Sequence, residues 1–210
     1  MPQPTSQPLR WAILIGVKGV HGPNSENTST LGAVADVVAI EKYLMACLSP
    51  CRIFTSITLF GFKDGLVAES RVRLDPTYKN LENYLRIVIN EGRDRDHVYI
   101  HYSGHGTARK ITDARKEKKA LGLVVSQSTD TDPKVFPGTT LRAAINCMVK
   151  KGMIVTAVLD CCFSGNVLRQ SPIRSPSRYL AYDSSMDDSF NMENPFIGES
   201  LRVADLASEG

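Results

Sequence analysis

The chain has 210 residues, of which 42% are hydrophobic, enough for one domain with a buried core and too apolar for wholesale disorder. The formal net charge of +3 is too small to indicate a nucleic-acid partner. No apolar run approaches the roughly 20 residues of a membrane span, and the polar Pro/Gln-rich start has no signal-peptide core. We therefore expect a cytoplasmic protein, with a nuclear location as the alternative, that has no membrane or nucleic-acid partner.

The cysteines favour a reducing compartment. There are five of them, an odd set without the spacing of a disulfide scaffold. The adjacent Cys161 and Cys162 are too cramped for an ordinary disulfide. We expect free thiols that are available for chemistry.

The first part of the chain predicts a strand–helix–strand unit. Residues 11–17 form a continuous apolar run, typical of a strand buried on both faces of a parallel sheet. Apolar residues at helical spacing predict a helix over 33–48, which Pro50 ends. β-branched and apolar residues predict a second strand over 53–60.

The next unit ends in a short glycine-flanked segment. Pro76 is favoured at a first helical position, and the apolar positions that follow predict a helix over 76–90. A third strand is predicted over 97–102, and it stops at Ser103-Gly-His-Gly106.

The last regular elements lead to a second such segment. Residues 109–119 hold six basic and two acidic side chains and are interpreted as a solvated surface loop. A helix is predicted over 140–150 and a fourth strand over 153–159. Asp160-Cys-Cys-Phe-Ser-Gly165 follows that strand at once.

Alternating strands and helices predict an α/β fold with a mostly parallel sheet and helices on both faces. Ligands of such sheets bind beyond the carboxyl ends of the strands, where 103–106 and 160–165 are expected. Residues 1–9 are predicted to be a disordered N-terminal segment and 10–170 the folded domain. Residues 171–210 lose the apolar pattern and are predicted to be a flexible acidic linker or tail.

Cys162 and His105 form a candidate catalytic pair. A thiol becomes a good nucleophile when a neighbouring imidazole takes its proton or stabilises the thiolate. Both residues are expected at strand ends of the same sheet edge. Taken singly, each has a simpler interpretation, as a buried structural cysteine or a solvated loop histidine.

The segments Tyr102–Gly106 and Asp160–Gly165 together resemble the two signature segments of caspase-like peptidases, in particular metacaspases and related fungal caspase-domain proteins. Residues 11–16 and 31–36 resemble the first strand and first helix of that family. The resemblance covers roughly residues 10–170 and implies a three-layer caspase-like fold.

The resemblance implies hydrolysis of peptide bonds with His105 as the base and Cys162 as the nucleophile. The family pattern is Asp-x-Cys-x-Ser-Gly, which only the second cysteine fits. Cys161 is then a neighbour with the opposite side-chain direction, expected to be buried in the sheet. The backbone N–H groups of Gly104 and Cys162 are the expected oxyanion donors.

Three further residues resemble the metacaspase pocket for arginine or lysine: Asp36, Ser103 and Asp160. Paired carboxylates suit a guanidinium or ammonium group. The alternatives are a helix N-terminal charge for Asp36 and a turn or cap for Asp160. We expect protein or peptide substrates cleaved after Arg or Lys.

No cofactor is expected to be required. The resemblance implies calcium activation, which this sequence supports weakly, because 109–119 is basic and only Asp130 and Asp132 follow closely. No metal site is predicted, since histidines four residues apart on a strand lie about 13 Å from each other, too far for one zinc ion.

Two alternatives stay open. The family normally continues through further strands and helices that 171–210 are not expected to supply, so a C-terminal small-subunit region is expected to be missing as a partner. The chain would then be a catalytically weak scaffold or regulatory module. An ordinary nucleotide or flavin domain is disfavoured, because 16–20 lack a Gly-x-Gly-x-x-Gly or Walker loop.

Overall fold

The computed structural model describes seven segments of the chain: residues 7–17, 31–48, 50–57, 74–113, 116–126, 134–161 and 186–197. They contain the strands β1 (Arg10–Gly16), β2 (Arg52–Ile57), β3 (His97–Ser103), β4 (Gly106–Asp113), β5 (Lys116–Val124), β6 (Val135–Pro137) and β7 (Ile154–Asp160). The helices described are α1 (Leu31–Cys47), α2 (Tyr78–Glu91), α3 (Gly138–Lys150) and α4 (Asp187–Asn191).

The main sheet is parallel, with strand order β2-β1-β3-β7. Its central strand β1 is apolar on both faces, as its sequence predicts. Trp11, Ile13 and Ile15 face the core formed with α2 and α3, whereas Ala12 and Leu14 face the core formed with α1. Helices therefore cover both faces, and the predicted three-layer caspase-like α/β architecture is confirmed.

The predicted strands and helices are found within a few residues of their expected bounds. One start differs: the first helical residue of α2 is Tyr78, not Pro76. Thr77 caps the helix, because its hydroxyl accepts a hydrogen bond from the Asn80 N–H at 3.2 Å. Residues 58–60 of the predicted second strand lie outside the described segments. No helix in the described part of the chain is long and apolar enough to cross a membrane.

The basic stretch 109–119 is not a loop, and that interpretation was wrong. It belongs to an antiparallel ribbon of β4 and β5, in which Gly106 pairs with Leu123 and Asp113 with Lys116. β6 extends the ribbon to a second, three-stranded sheet. Antiparallel ribbons tolerate one solvated face, so a high positive charge does not exclude strands.

Residues 186–197 are also not part of a flexible tail, in contrast to the prediction. Met186, Ser189 and Phe196 are buried, and Arg109 Nη1 donates to Asp187 Oδ1 and Asn191 Oδ1, each at 3.0 Å. The buried apolar residues of this segment are not spaced as in an amphipathic helix or strand. Each packs at a different place in the domain, so no local pattern predicts their burial. The remainder of 171–210 lies outside the described residues.

The ordered part of the chain begins before residue 10, the predicted start of the domain. Leu9 belongs to the segment expected to be disordered, yet its N–H donates to Asp96 Oδ1 at 2.8 Å and its carbonyl accepts from the His97 N–H at 2.9 Å. Residues 1–6 lie outside the described segments.

β7 is the edge of the main sheet, within the part of the chain that the structure describes. It pairs with β3 along its whole length. The side chains of Ile154 and Val158 are 53% and 38% exposed, although both are apolar. Among the described residues, this side of the sheet therefore presents an unpaired strand edge with two exposed apolar side chains.

Candidate active site at the carboxyl ends of β3 and β7

The carboxyl ends of β3 and β7 bring two of the predicted pocket residues together. Ser103 pairs with Asp160 in the parallel register, and the Ser103 hydroxyl donates to Asp160 Oδ2 at 3.3 Å. Ser103 is fully buried, whereas Asp160 is exposed. A carboxylate oriented by a buried hydroxyl and open to solvent can receive a cationic side chain.

Gly104 links the two signature segments. Its N–H donates to the Asp160 carbonyl at 3.3 Å, so it holds the loop after β3 against the end of β7. This hydrogen bond occupies the N–H that the sequence had suggested for the oxyanion. In this arrangement Gly104 connects β3 to β7, and its role as an oxyanion donor stays a prediction.

His105 lies one residue further along this loop. It is 3% exposed, and its Nδ1 has no hydrogen-bond partner among the described residues. A buried polar atom normally finds a partner, because burial without one is unfavourable. An imidazole nitrogen of this kind is available to exchange a proton with a nearby group.

Two cysteines, Cys161 and Cys162, follow β7. Cys161 lies one residue beyond the end of β7. It is partly buried and packs against the core between the sheet and α2 and α3. Cys162 lies outside the described residues. It follows Cys161 directly in the sequence.

Asp36 is exposed on α1. In a parallel strand–helix–strand unit the helix begins at the carboxyl edge of the sheet, which is the edge that carries Ser103 and Asp160. The amino-terminal part of α1 therefore brings this carboxylate to the same side of the domain.

Tyr102 begins the first signature segment, but the sequence assigns no role to its side chain. It is fully buried, and its hydroxyl donates to the carbonyl of His105 at 2.8 Å and to that of Val124 at 2.7 Å. Its place directly before Ser103 was visible in the sequence, but its apolar neighbours gave it the pattern of an ordinary strand residue.

Within the described segments, no group of three or more His, Cys, Asp or Glu side chains is arranged to hold a metal ion. Asp130 and Asp132, the acidic residues closest after the histidine segment, lie outside those segments.

Comparison with known proteins gives a family match. The family model described as metacaspase, peptidase C14 domain, matches residues 10–171, a range that contains both signature segments.

Individual relatives are distant in sequence. Metacaspase-9 of Arabidopsis thaliana is 26% identical over 166 residues, covering 76% of this chain and 44% of that protein. Metacaspase-1B of Aspergillus terreus is 24% identical over 185 residues, covering 85% and 45%. Inactive metacaspase-4 of Trypanosoma brucei brucei is 30% identical over 115 residues, covering 55% and 30%. The chain thus spans less than half the length of these relatives.

Proposed function

Since this chain belongs to the metacaspase family of peptidase C14 domains, we propose that it is a cysteine endopeptidase with His105 as its base and Cys162 as its nucleophile. The observation that carries the proposal is the hydrogen bond from the Gly104 N–H to the Asp160 carbonyl. It ties the loop that bears the histidine to the strand end that precedes the cysteine.

The proposed reaction is acyl transfer through a thioester. His105 takes the proton from the Cys162 thiol, and the thiolate attacks the carbonyl carbon of the substrate. The Cys162 N–H stabilises the oxyanion of the tetrahedral intermediate. The imidazolium then protonates the leaving amine, and His105 next activates a water molecule that hydrolyses the thioester.

We propose cleavage after Arg or Lys. Asp160 supplies an exposed carboxylate at the site, and the Ser103 hydroxyl orients it. Asp36 adds a second carboxylate at the same edge. An aspartate-specific pocket would instead need arginines at these positions.

We also propose that the cleft is completed by a further region packed on β7. Ile154 and Val158 are exposed, and β7 is the edge strand among the described strands. Both features suit the addition of a strand and a covering helix. The same observation favours a second candidate function, a scaffold or regulatory module, for a chain in which this surface stays uncovered.

Hydrolysis of fluorogenic peptides that end in Arg, Lys or Asp tests the peptidase. We expect the wild type to cleave the Arg and Lys peptides, and Cys162→Ala and His105→Ala to be inactive. Cys161→Ala is the matched control, since it removes the neighbouring thiol and should leave activity intact.

The outcomes separate the candidates. Activity that survives in Cys162→Ala would refute the nucleophile, and preferred cleavage of the Asp peptide would refute the specificity. No turnover by the wild type, with or without calcium, favours the scaffold. A rate increase on adding calcium would show the activation that the family resemblance implies.

A further inference from the structure

We propose that Tyr102 is a positioning residue that fixes the backbone of His105, an inference that rests on the proposed role of His105 as the base. Tyr102 is the next-to-last residue of β3 and is fully buried. Its side chain belongs to the core formed with α2 and α3, on the face of the sheet opposite Ser103. The proposed reaction does not use its hydroxyl.

The Tyr102 hydroxyl joins the histidine loop to β5. Its oxygen lies 2.8 Å from the His105 carbonyl and 2.7 Å from the Val124 carbonyl. The Val124 N–H also donates to the His105 carbonyl, at 3.0 Å. A phenol has one proton, which these two carbonyl oxygens share. The three residues therefore form a closed arrangement of hydrogen bonds around the His105 backbone.

Glycine is the only residue type that position 104 accommodates beside the Tyr102 phenol. A Cβ atom at position 104 would lie 2.6 Å from the Tyr102 hydroxyl oxygen and 2.9 Å from Cζ. Among the described glycines, Gly152 alone has a positive φ. Close contact with the phenol, and not backbone conformation, therefore requires glycine at 104.

The hydrogen bonds to the His105 backbone affect the orientation of its imidazole ring. His105 Nδ1 has no hydrogen-bond partner among the described residues, so no described side chain orients the ring through that nitrogen. The ring direction then depends on the backbone to which it is attached. Since a misplacement of about 1 Å can reduce a rate about 100-fold, the Tyr102 hydroxyl is expected to affect the chemical step more than substrate binding.

The test follows the reactivity of Cys162 and does not require peptide turnover. The full chain is alkylated with iodoacetamide across a pH series, and modification of Cys162 is measured by peptide mapping. A histidine-activated thiol reacts with a midpoint below the ordinary value of about 8.5. We expect Tyr102→Phe to raise this midpoint toward that of His105→Ala and to slow alkylation at pH 7 about tenfold.

Tyr84→Phe is the matched control. Tyr84 is a buried tyrosine of α2 whose ring stacks on Phe54 at 5.1 Å, so the variant loses a hydroxyl elsewhere in the same core. Its midpoint should equal that of the wild type. Where hydrolysis is measurable, Tyr102→Phe should lower kcat about tenfold and leave KM within about twofold.

The outcomes distinguish this inference from the proposed function. If His105→Ala leaves the midpoint of the wild type unchanged, the proposed dyad is refuted. If His105→Ala raises the midpoint but Tyr102→Phe does not, the positioning role is overturned. Should Tyr102→Phe not fold, Gly104→Ala keeps the phenol and displaces it by contact, and an unshifted midpoint in that variant overturns the role equally.

Discussion

Asp160 is the residue on which the proposed specificity depends most. It is exposed, and the buried Ser103 orients it. Asp160→Asn keeps an acceptor for the hydroxyl and removes the charge. We expect KM for an Arg peptide to rise about 10- to 100-fold, because hydrogen bonds to charged groups contribute about 1.5–3 kcal/mol.

Asp94→Asn is the control for Asp160→Asn. It removes an exposed carboxylate from the turn before β3, at the opposite end of that strand from Ser103, and should leave KM unchanged. The KM values of both variants are measured by steady-state kinetics on Arg and Lys peptides. Equal effects of the two variants would mean that Asp160 acts only through the overall charge of the protein.

Asp96 stabilises the fold through its carboxylate. It is 2% exposed and accepts hydrogen bonds from the Trp11 Nε1–H at 3.0 Å, the Leu9 N–H at 2.8 Å and the Arg93 N–H at 3.0 Å. Burial acts to raise the pKa of Asp96, but these hydrogen bonds, with the Arg93 charge, outweigh it and lower the pKa. The ionised form is therefore the one that the folded state favours.

The sign of the pH effect follows from this lowered pKa. The contribution of Asp96 to stability is present above the ordinary carboxyl pKa of about 3.9 and is lost as the pH falls through the lower pKa of the folded state. Asp96→Asn should lower the free energy of unfolding in urea by about 1–3 kcal/mol at pH 7 and by less in strong acid. Asp94→Asn, an exposed neighbour, is the control. A deficit that does not shrink in acid would contradict this account.

At the scale of an element, the segment 186–197 shows that local apolar spacing does not predict every packed part of the fold. β1 and β7 are near-continuous apolar runs, and α1 and α2 carry apolar residues at helical spacing, so the sequence predicts each of them. The buried Met186 and Phe196 have acidic and serine-rich neighbours and no period. Which gap in the domain such a residue fills depends on tertiary contacts, which no local pattern encodes.

In the candidate site, too, the sequence predicts the strand ends but not the individual tertiary contacts. The sequence predicts that Ser103 and Asp160 meet, because both follow parallel strands. The hydrogen bond that occupies the Gly104 N–H, and the two carbonyls that converge on the Tyr102 hydroxyl, depend on loop geometry at the level of single atoms. Residue types alone do not determine that geometry.

Phe196 tests whether the carboxyl-terminal segment is part of the domain. It is fully buried under the Arg86 guanidinium, which lies 5.3 Å from its ring centre, and its carbonyl accepts from the Cys147 thiol at 3.6 Å. Phe196→Ala should lower the free energy of unfolding by about 3–5 kcal/mol. The adjacent Ile197 is 58% exposed, so Ile197→Ala should change it by no more than about 0.5 kcal/mol. Similar small losses in both variants would refute the packed segment.

At the scale of the whole molecule, β7 is the edge of the main sheet among the described strands and carries the exposed Ile154 and Val158. An exposed strand edge with apolar side chains favours association with another strand. We expect this chain to self-associate as its concentration rises and Val158→Lys to reduce that association, as measured by sedimentation velocity. Val149→Lys, on an exposed position of α3, is the control. Equal effects of the two lysines would place the contact elsewhere.

The central claim is that His105 activates Cys162 in a site for basic side chains. A peptide ending in an arginyl chloromethyl ketone tests it most directly, with the modified residue identified by peptide mapping. We predict one adduct, on Cys162, that is retained in Cys161→Ala, absent in His105→Ala and slowed by Asp160→Asn. Labelling of Cys161 instead, or labelling of Cys162 at the same rate without His105, would contradict the account.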